Sequence, residues 1–266
     1  MKLGIIGHGF VGSAVDQGFT RECNKFIVDP KKNNNTVSQL NQFRPQATFI
    51  CVPTPQQASG ESNTDILETV CRQLNKIKDN LIIIKSTVPG YVLQRIKETN
   101  TNLRMVYNPE FLTEKNYIKD FQNPSMHIFG GDTTDTELVL NLYNQHSTCS
   151  DCPVYHTNLM TASFVKYTIN SFLATKVTFF NELYDAYCAA GGQDFAELTR
   201  MVATDKRIGS SHMSVPGNNG ERGYGGSCFP KDTAALAYFA REILNLPFTQ
   251  LETSININEK FRKNNP

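Results

Sequence analysis

Residues 2–12 read Lys2-Leu3-Gly4-Ile5-Ile6-Gly7-His8-Gly9-Phe10-Val11-Gly12, a short apolar run followed by three glycines spaced as G-x-G-x-x-G. The run predicts a buried strand, and the glycines predict a tight turn that opens a helix. Helical patterns separate further apolar runs, which lie at residues 26–29, 48–52, 81–86, 105–107 and 126–129. Repeated strand–helix–strand units predict an α/β fold with a Rossmann-type, doubly wound parallel sheet.

The second half of the chain has helical rather than strand patterns. Residues 159–190 contain no Pro or Gly and carry apolar side chains on more than one side, which predicts one long buried helix. Shorter helices are predicted over residues 193–202, 231–244 and 248–261, and a glycine-rich loop over 209–226. We place a boundary near residue 156, between a Rossmann-like domain over 1–156 and an all-helical dimerisation domain over 157–266.

Composition narrows the class of protein. The 266 residues carry a net charge of +1, which excludes nucleic acid or an anionic membrane surface as the main partner. We find no apolar run of transmembrane length, and we expect no signal peptide because the first residues predict a strand and a glycine turn. Seven scattered cysteines, several in apolar runs (Cys51, Cys71 and Cys188), are typical of core thiols and indicate a reducing, cytoplasmic compartment.

The glycine turn has the context that a dinucleotide site requires. Gly7 permits the tight turn, Gly9 lets a pyrophosphate approach the backbone, and Gly12 lets the helix pack on the sheet. Asp29 ends the second predicted strand, where a carboxylate accepts hydrogen bonds from a ribose diol and repels a 2′-phosphate. We therefore predict NAD rather than NADP. The alternative is an α/β fold whose glycines serve only a turn.

A second glycine-rich stretch precedes a cysteine. It reads Gly223-Tyr224-Gly225-Gly226-Ser227-Cys228, and a predicted helix follows close to Lys231. A thiol at a helix N-terminus beside a lysine is biased toward the reactive thiolate. Beside a hydride acceptor, such a thiolate can trap an aldehyde as a thiohemiacetal that is oxidised to a thioester and hydrolysed to an acid. The alternative is a buried structural cysteine next to a turn.

Lys166 and Asn170 lie one turn apart on the predicted long helix. Both can donate hydrogen bonds to an oxyanion, and the apolar neighbours Phe164, Val165 and Ile169 argue against a purely solvated helix face.

A weaker pattern is His146, Cys149, Cys152 and His156, whose spacing suits a tetrahedral zinc. We predict no metal there and interpret the pattern as two loop cysteines and two unrelated histidines.

Six segments together resemble the UDP-glucose/GDP-mannose dehydrogenase family, in the family's order and over essentially the whole chain. They are the glycine turn with Asp29, Cys51-Val52-Pro53-Thr54-Pro55, Ser86-Thr87-Val88-Pro89-Gly90, Asn108-Pro109-Glu110-Phe111-Leu112-Thr113-Glu114, residues 165–176, and the Cys228 segment. As a set they are specific, although the glycine turn alone is not.

The resemblance implies a role for each matching residue. Cys228 is the expected nucleophile, and Lys166 and Asn170 would stabilise the oxyanion. Glu110 would act on the hydrolytic water or on the acyl step. Two further catalytic positions, expected to hold water, are Thr87 and Asp232. The positions expected to line NAD are Gly7, Gly9, Phe10, Val11, Gly12, Asp29, Val52, Pro53, Thr54, Thr87, Glu114 and Lys231. Those expected to contact substrate are Glu110, Phe111, Leu112, Lys166, Asn170, Arg207, Gly217, Arg222 and Gly225, with Arg207 reaching across a homodimer.

The sequence also departs from the family pattern. Ser163 replaces a glutamate, Ser125-Met126 replaces an acid–arginine pair, and the chain ends where a third, nucleotide-binding domain is expected. We expect NAD-dependent oxidation of a nucleotide sugar, foremost UDP-glucose to UDP-glucuronate. One alternative is a two-electron dehydrogenase of the hydroxyacid type. Another is a catalytically impaired NAD-binding dimer that acts with a partner supplying the nucleotide-sugar domain.

Overall fold

The computed structural model describes residues 1–20, 22–76 and 79–263, so residues 264–266 of the predicted helical domain lie outside the described residues. The chain forms two compact units. Unit one comprises Met1–Pro55 and Ser62–Lys166, and unit two comprises Gln56–Glu61 and the chain from Tyr167 onward. The domain boundary near residue 156 stays a prediction.

Unit one contains a seven-stranded sheet in the order β2-β1-β3-β4-β5-β6-β7. Its strands are β1 Lys2–Ile6, β2 Asn24–Val28, β3 Ala47–Ile50, β4 Leu81–Ile84, β5 Arg104–Tyr107, β6 His127–Gly131 and β7 Val154–Thr157. The Rossmann-type fold class predicted from the sequence is confirmed.

The sheet differs from the prediction in one respect, because β5 and β6 pair antiparallel while the other neighbours pair parallel. The contact is short, pairing Val106 with Gly131 and Tyr107 with Gly130. Glycine is needed for this approach, since a Cβ at Gly131 would lie 2.9 Å from the Met105 carbonyl oxygen. The prediction of an entirely parallel sheet was therefore wrong for the β5–β6 pair.

Helices cover both faces of the sheet. They are α1 Phe10–Gly18, α2 Val37–Phe43, α3 Asp65–Leu74, α4 Gly90–Thr99, α5 Tyr117–Gln122 and α6 Thr133–His146. The central strands β3 and β4 are buried throughout, and β4 shows that both sides are apolar: Ile82 and Ile84 belong to one buried cluster, and Leu81 and Ile83 to the other. This two-sided burial explains why the strands appear as continuous apolar runs in the sequence.

The predicted long helix is α7, Leu159–Ala189, which begins in unit one and continues into unit two. The other helices of unit two are α8 Phe195–Ala203, α9 Phe229–Tyr238, a π-helical turn Phe239–Ile243 that continues α9, and α10 Thr249–Lys263. Residues 209–226 form turns and loop, as predicted. None of the helices in the described ranges is long and apolar enough to cross a membrane.

The cysteines are in part where the sequence predicted them. Cys71 is fully buried, and burial raises its pKa to about 12, as fits an inert core thiol. Cys188 is exposed on α7, so its prediction as a core residue was wrong. All seven cysteines lie in the described part of the chain, and none forms a disulfide there.

Candidate active site

The glycine turn follows β1 and opens α1 at the N-cap Gly9. Gly7 has a φ of +84°, and a Cβ there would lie 2.5 Å from the Cys51 carbonyl oxygen. A Cβ at Gly12 would lie 2.0 Å from the Gly7 carbonyl oxygen, so this position also requires glycine. Apart from Gly9, its chain neighbours and the adjoining backbone of α1, no described atom lies within 4 Å of a Cβ built on Gly9. The N-terminus of α1 is thus open to a phosphate, which its N–H groups and partial positive charge favour.

Asp29 directly follows β2 and is 9% exposed. Its Oδ2 accepts a hydrogen bond from the His8 backbone N–H at 2.5 Å, and its Oδ1 accepts one from the Lys31 N–H at 2.8 Å. A carboxylate has about four acceptor sites, so capacity remains for the hydroxyls of a ribose. The open glycine turn and the adjacent acid fit an NAD molecule.

The loops that follow β3 and β4 begin at the same edge of the sheet as the glycine turn, because β1, β3 and β4 run parallel. Ser86 Oγ donates to the Val52 carbonyl at 2.7 Å, and Thr54 Oγ1 donates to the Thr87 carbonyl at 2.8 Å. These bonds tie together the loops that contain the predicted NAD-lining residues Val52, Pro53, Thr54 and Thr87. In α/β sheets, ligands bind at the carboxyl ends of the strands.

Glu110 and Lys166 form a buried ion pair within unit one, with 7% and 3% of their surfaces exposed. Lys166 Nζ lies 3.1 Å from Glu110 Oε1 and donates to the Glu110 backbone carbonyl at 2.6 Å. Glu110 Oε2 accepts the Leu112 N–H at 2.6 Å, and Lys166 Nζ stands 5.3 Å from the centre of the Phe111 ring. Four predicted substrate residues therefore meet here. Glu114, in the same segment, is exposed.

A second buried lysine was missed by the sequence analysis. Lys85 directly follows β4 and donates to Asn108 Oδ1 at 3.0 Å, while the Tyr143 hydroxyl donates to the same oxygen at 2.7 Å. Burial lowers the pKa of Lys85 to about 8. Lys85, Tyr143 and Glu110 line a cavity of about 180 Å³ in unit one. The sequence signal for a buried lysine was the position of Lys85 directly after the all-apolar run Leu81–Ile84.

In unit two, Asn170 and Asp232 are brought together and buried. Asn170 Nδ2 donates to Asp232 Oδ2 at 2.5 Å, and Asp232 Oδ1 pairs with Lys231 Nζ. Cys228 is the N-cap residue of α9, and its carbonyl accepts the Asp232 N–H at 2.8 Å. Cys228 is partly buried, and its Sγ lies 3.6 Å from Ser227 Oγ. The sequence thus correctly located this thiol at a helix N-terminus.

The remaining predicted substrate residues lie in the loops of unit two. The side chain of Arg207 is 87% exposed and pairs with Asp205. Gly217 N donates to the Glu221 carbonyl in a turn at 2.9 Å. Arg222 pairs with Asp185 at 2.8 Å, and a Cβ at Gly225 would lie 3.1 Å from the Arg262 guanidinium carbon. Their contact with a substrate stays a prediction.

Two residues of the candidate zinc pattern have other hydrogen-bond partners. Cys149 Sγ donates to the Phe121 carbonyl at 3.0 Å, and His156 Nδ1 lies 2.8 Å from Thr136 Oγ1. Among the described residues, no three His, Cys, Asp or Glu side chains are gathered as a metal site.

Two family models match the chain. Residues 43–147 match the NAD binding domain of the UDP-glucose/GDP-mannose dehydrogenase family, and residues 160–260 match its central domain. The chain belongs to the UDP-glucose/GDP-mannose dehydrogenase family. It is therefore a member of an oxidoreductase family whose N-terminal domain takes NAD as cofactor.

Individual relatives agree with the family models. The chain is 38% identical over 200 residues to UDP-glucose 6-dehydrogenase of Rickettsia bellii, an alignment covering 72% of this chain and 44% of the relative. It is 34% identical over 304 residues to UDP-glucose 6-dehydrogenase TuaD of Bacillus subtilis, covering 98% of this chain and 63% of the relative. A solved UDP-glucose dehydrogenase from Pyrobaculum islandicum superposes with a TM-score of 0.81 at 26% identity, covering 97% of this chain and 68% of that chain. The chain spans about half the length of the curated relatives it matches.

Proposed function

We propose that the chain oxidises the C6 alcohol of a nucleotide sugar, foremost UDP-glucose, to the carboxylate, with Cys228 as covalent catalyst. The observation that carries this proposal is the position of Cys228 at the N-terminus of α9, one turn before the buried Asp232–Asn170 pair. A helix N-terminus favours the thiolate over the thiol. Family membership and the NAD binding domain supply the second support.

The proposed reaction removes four electrons from the substrate carbon. NAD⁺, when bound, accepts one hydride in each of two oxidations. The alcohol loses a hydride and a proton to give an aldehyde, and the Cys228 thiolate adds to its carbon to form a thiohemiacetal. The thiohemiacetal, which took up one proton as it formed, then loses the second hydride and its hydroxyl proton to leave a thioester. Water hydrolyses the thioester by breaking the C–S bond, which releases the carboxylate, the Cys228 thiolate and two protons. The balance is one alcohol, two NAD⁺ and one water giving one carboxylate, two NADH and three protons.

Each unit contains groups with suitable chemistry. In unit one, the Lys166 ammonium would stabilise an alkoxide, and the Glu110 carboxylate would accept a proton from the hydrolytic water. In unit two, the Asn170 amide would donate to the oxyanion and Asp232 would orient water. Thr87, beside the proposed NAD site, would hold a further water.

We propose that NAD is held at the glycine turn by the N-terminus of α1, with Asp29 on its adenosine ribose and residues 52–54 and Thr87 alongside. Lys231 and Glu114 would complete this site. We further propose a homodimer through the helical domain in a reducing, cytoplasmic compartment. The exposed rings of Phe172 and Phe179 on α7, at 66% and 60%, support such a contact.

The experiment measures product stoichiometry with UDP-glucose and NAD. We expect two NADH and one uronate per sugar, and no uronate from Cys228→Ser. The matched control is Cys188→Ser, an exposed cysteine in the same unit, which should retain the activity of the unmodified protein. One NADH per substrate, or undiminished acid formation by Cys228→Ser, would reject the four-electron reaction. NAD binding without sugar turnover would instead favour a chain that depends on a partner for its nucleotide-sugar site.

A further inference from the structure

The glycine-rich segment before Cys228 is held by two buried asparagines that the proposed reaction does not use. Asn181 lies on α7 and Asn258 on α10, and they are 2% and 7% exposed. Asn181 Oδ1 accepts the Gly223 N–H at 3.1 Å. Asn258 Oδ1 accepts the Tyr224 N–H at 2.6 Å, and its Nδ2 donates to the Tyr224 carbonyl at 3.0 Å. We call Asn181 and Asn258 the amide pair.

These bonds fix consecutive backbone groups from two different helices. Asn258 satisfies both the donor and the acceptor of Tyr224, which is 4% exposed and would otherwise bury unpaired backbone groups. Gly223 has a φ of +75°, and a Cβ there would lie 2.5 Å from Asn258 Oδ1. The glycine therefore permits both the turn and the close approach of the asparagine.

The Tyr224 side chain links this segment to the start of α9. Burial raises the pKa of Tyr224, and the side chains of Thr233 on α9 and Ser254 on α10 counteract that rise. The Tyr224 ring centre lies 6.3 Å from that of Phe229, the residue directly after Cys228. Ser254 Oγ in turn lies 3.0 Å from Thr178 Oγ1 on α7. The backbone is thus fixed at Tyr224, four residues before Cys228. The Tyr224 side chain contacts Phe229, the residue directly after Cys228.

Asn181 itself is held in place from both ends of its side chain. Its Nδ2 donates to the Val177 carbonyl at 2.8 Å, and its Oδ1 also accepts from Arg222 Nε at 3.3 Å. Arg222 Nη2 donates to the Asn181 carbonyl at 2.8 Å. A side chain so restrained defines one position for the Gly223 N–H rather than a range of positions.

We propose that the amide pair consists of positioning residues that preset the path of the 223–227 segment into α9 and thereby the presentation of the Cys228 thiol. The importance of that presentation for turnover rests on the proposed function. The positioning itself is a property of unit two and is measurable without substrate.

The first measurement is hydrogen exchange of the unmodified protein. The Gly223 and Tyr224 amides should exchange at least about tenfold more slowly than in an unstructured peptide, because both are bonded to buried acceptors. Exchange at the peptide rate would overturn the proposal without any variant having to fold.

The second measurement is alkylation of Cys228 by iodoacetamide, followed by peptide mass spectrometry with the exposed Cys188 as internal reference. In Asn181→Leu and Asn258→Leu we expect the Cys228 rate to rise about tenfold as the segment loosens, with Cys188 unchanged. The matched control is Gln193→Leu, which removes an exposed amide in the same unit and should stay within twofold of the unmodified protein. Equal acceleration at Cys188, or no change at Cys228 in either leucine variant, would overturn the proposal.

The third measurement separates positioning from cofactor binding. In the leucine variants kcat for sugar oxidation should fall about tenfold, while KM for NAD should change far less, because every proposed NAD residue except Lys231 belongs to unit one. A rise in KM for NAD with unchanged kcat would contradict the assignment. If the unmodified protein shows no turnover, the proposed function fails, whereas the exchange and alkylation results still decide the role of the amide pair.

Discussion

Asn170 Nδ2 donates a hydrogen bond to Asp232 Oδ2 at 2.5 Å between α7 and α9, and both side chains are buried. A buried carboxylate that loses a donor keeps its full desolvation cost. We therefore expect Asn170→Ala to lower the free energy of unfolding by about 1–3 kcal/mol. The control Gln193→Ala, an exposed amide in unit two, should change it by less than about 0.5 kcal/mol. Urea denaturation measures both values, and equal effects would contradict the assigned importance of this bond.

The Glu110–Lys166 ion pair predicts strong non-additivity. Removing one partner leaves an uncompensated buried charge, so Glu110→Gln or Lys166→Met should each cost about 3–5 kcal/mol. The double variant buries neither charge and should be less destabilised than the sum of the two single variants, by more than about 1 kcal/mol. A double-mutant cycle measured by chemical denaturation tests this. Simple additivity would mean that the two side chains do not interact energetically.

Gly9 and Gly12 predict opposite consequences for the same substitution. Gly9→Ala places its Cβ in open space, so the thermal midpoint should be unchanged while the Kd for NAD rises at least about tenfold. Gly12→Ala places its Cβ against the Gly7 carbonyl and should cost about 1–3 kcal/mol of stability. Calorimetry and NAD titration measure the two effects. Unaltered NAD affinity in Gly9→Ala would exclude the glycine turn as the pyrophosphate site.

We expect Asp29 to determine the preference for NAD over NADP. Asp29→Ser removes the charge that repels a 2′-phosphate, so KM for NAD should rise about tenfold or more and NADP should become a comparatively better cofactor. Lys32→Ala, an exposed change close by, should leave the ratio of kcat/KM for NAD and NADP as it is. The preference is measured as that ratio, and an unchanged ratio in Asp29→Ser would place the ribose elsewhere.

We expect the buried Lys85 to make the free energy of unfolding depend on pH. Its pKa falls from 10.5 to about 8 on burial, so between these values the unfolded chain binds a proton that the folded chain lacks. Stability relative to Lys85→Met should therefore rise by about 2 kcal/mol from pH 7.5 to pH 10. The comparison of Lys115→Met, an exposed lysine, with the unmodified protein should show no such rise. A difference independent of pH would show that Lys85 titrates normally.

The parts of the fold that the sequence predicted are those with local patterns. Leu81–Ile84 is apolar throughout because both faces of β4 are covered, and Leu159–Ala189 has no residue that breaks a helix. In contrast, β7 is an edge strand whose Tyr155 and His156 are exposed, so it has no apolar run to reveal it. The antiparallel β5–β6 pair depends on two register positions, which no local pattern encodes.

The candidate site shows the same division. The sequence suggested Cys228, Asp29 and the glycine turn as site residues because their chemistry is tied to short spacings. Asn181 and Asn258 were missed, since asparagine on a helix resembles any solvated polar residue until its partner 34 to 42 positions away is known. Sequence spacing identifies reactive groups, whereas the residues that hold them are identified only by contacts between distant segments.

Unit two is discontinuous in the chain, because Gln56–Glu61 belongs to it while the residues on either side belong to unit one. Within it, a Cβ at Gly60 would lie 3.4 Å from the Ala234 carbonyl oxygen of α9. A gene fusion that exchanges everything after codon 166 between relatives would therefore leave one parent's hexapeptide against the other parent's α9. Recombination that preserves unit two must transfer this early segment as well, so the two units can be inherited together more readily than they can be shuffled.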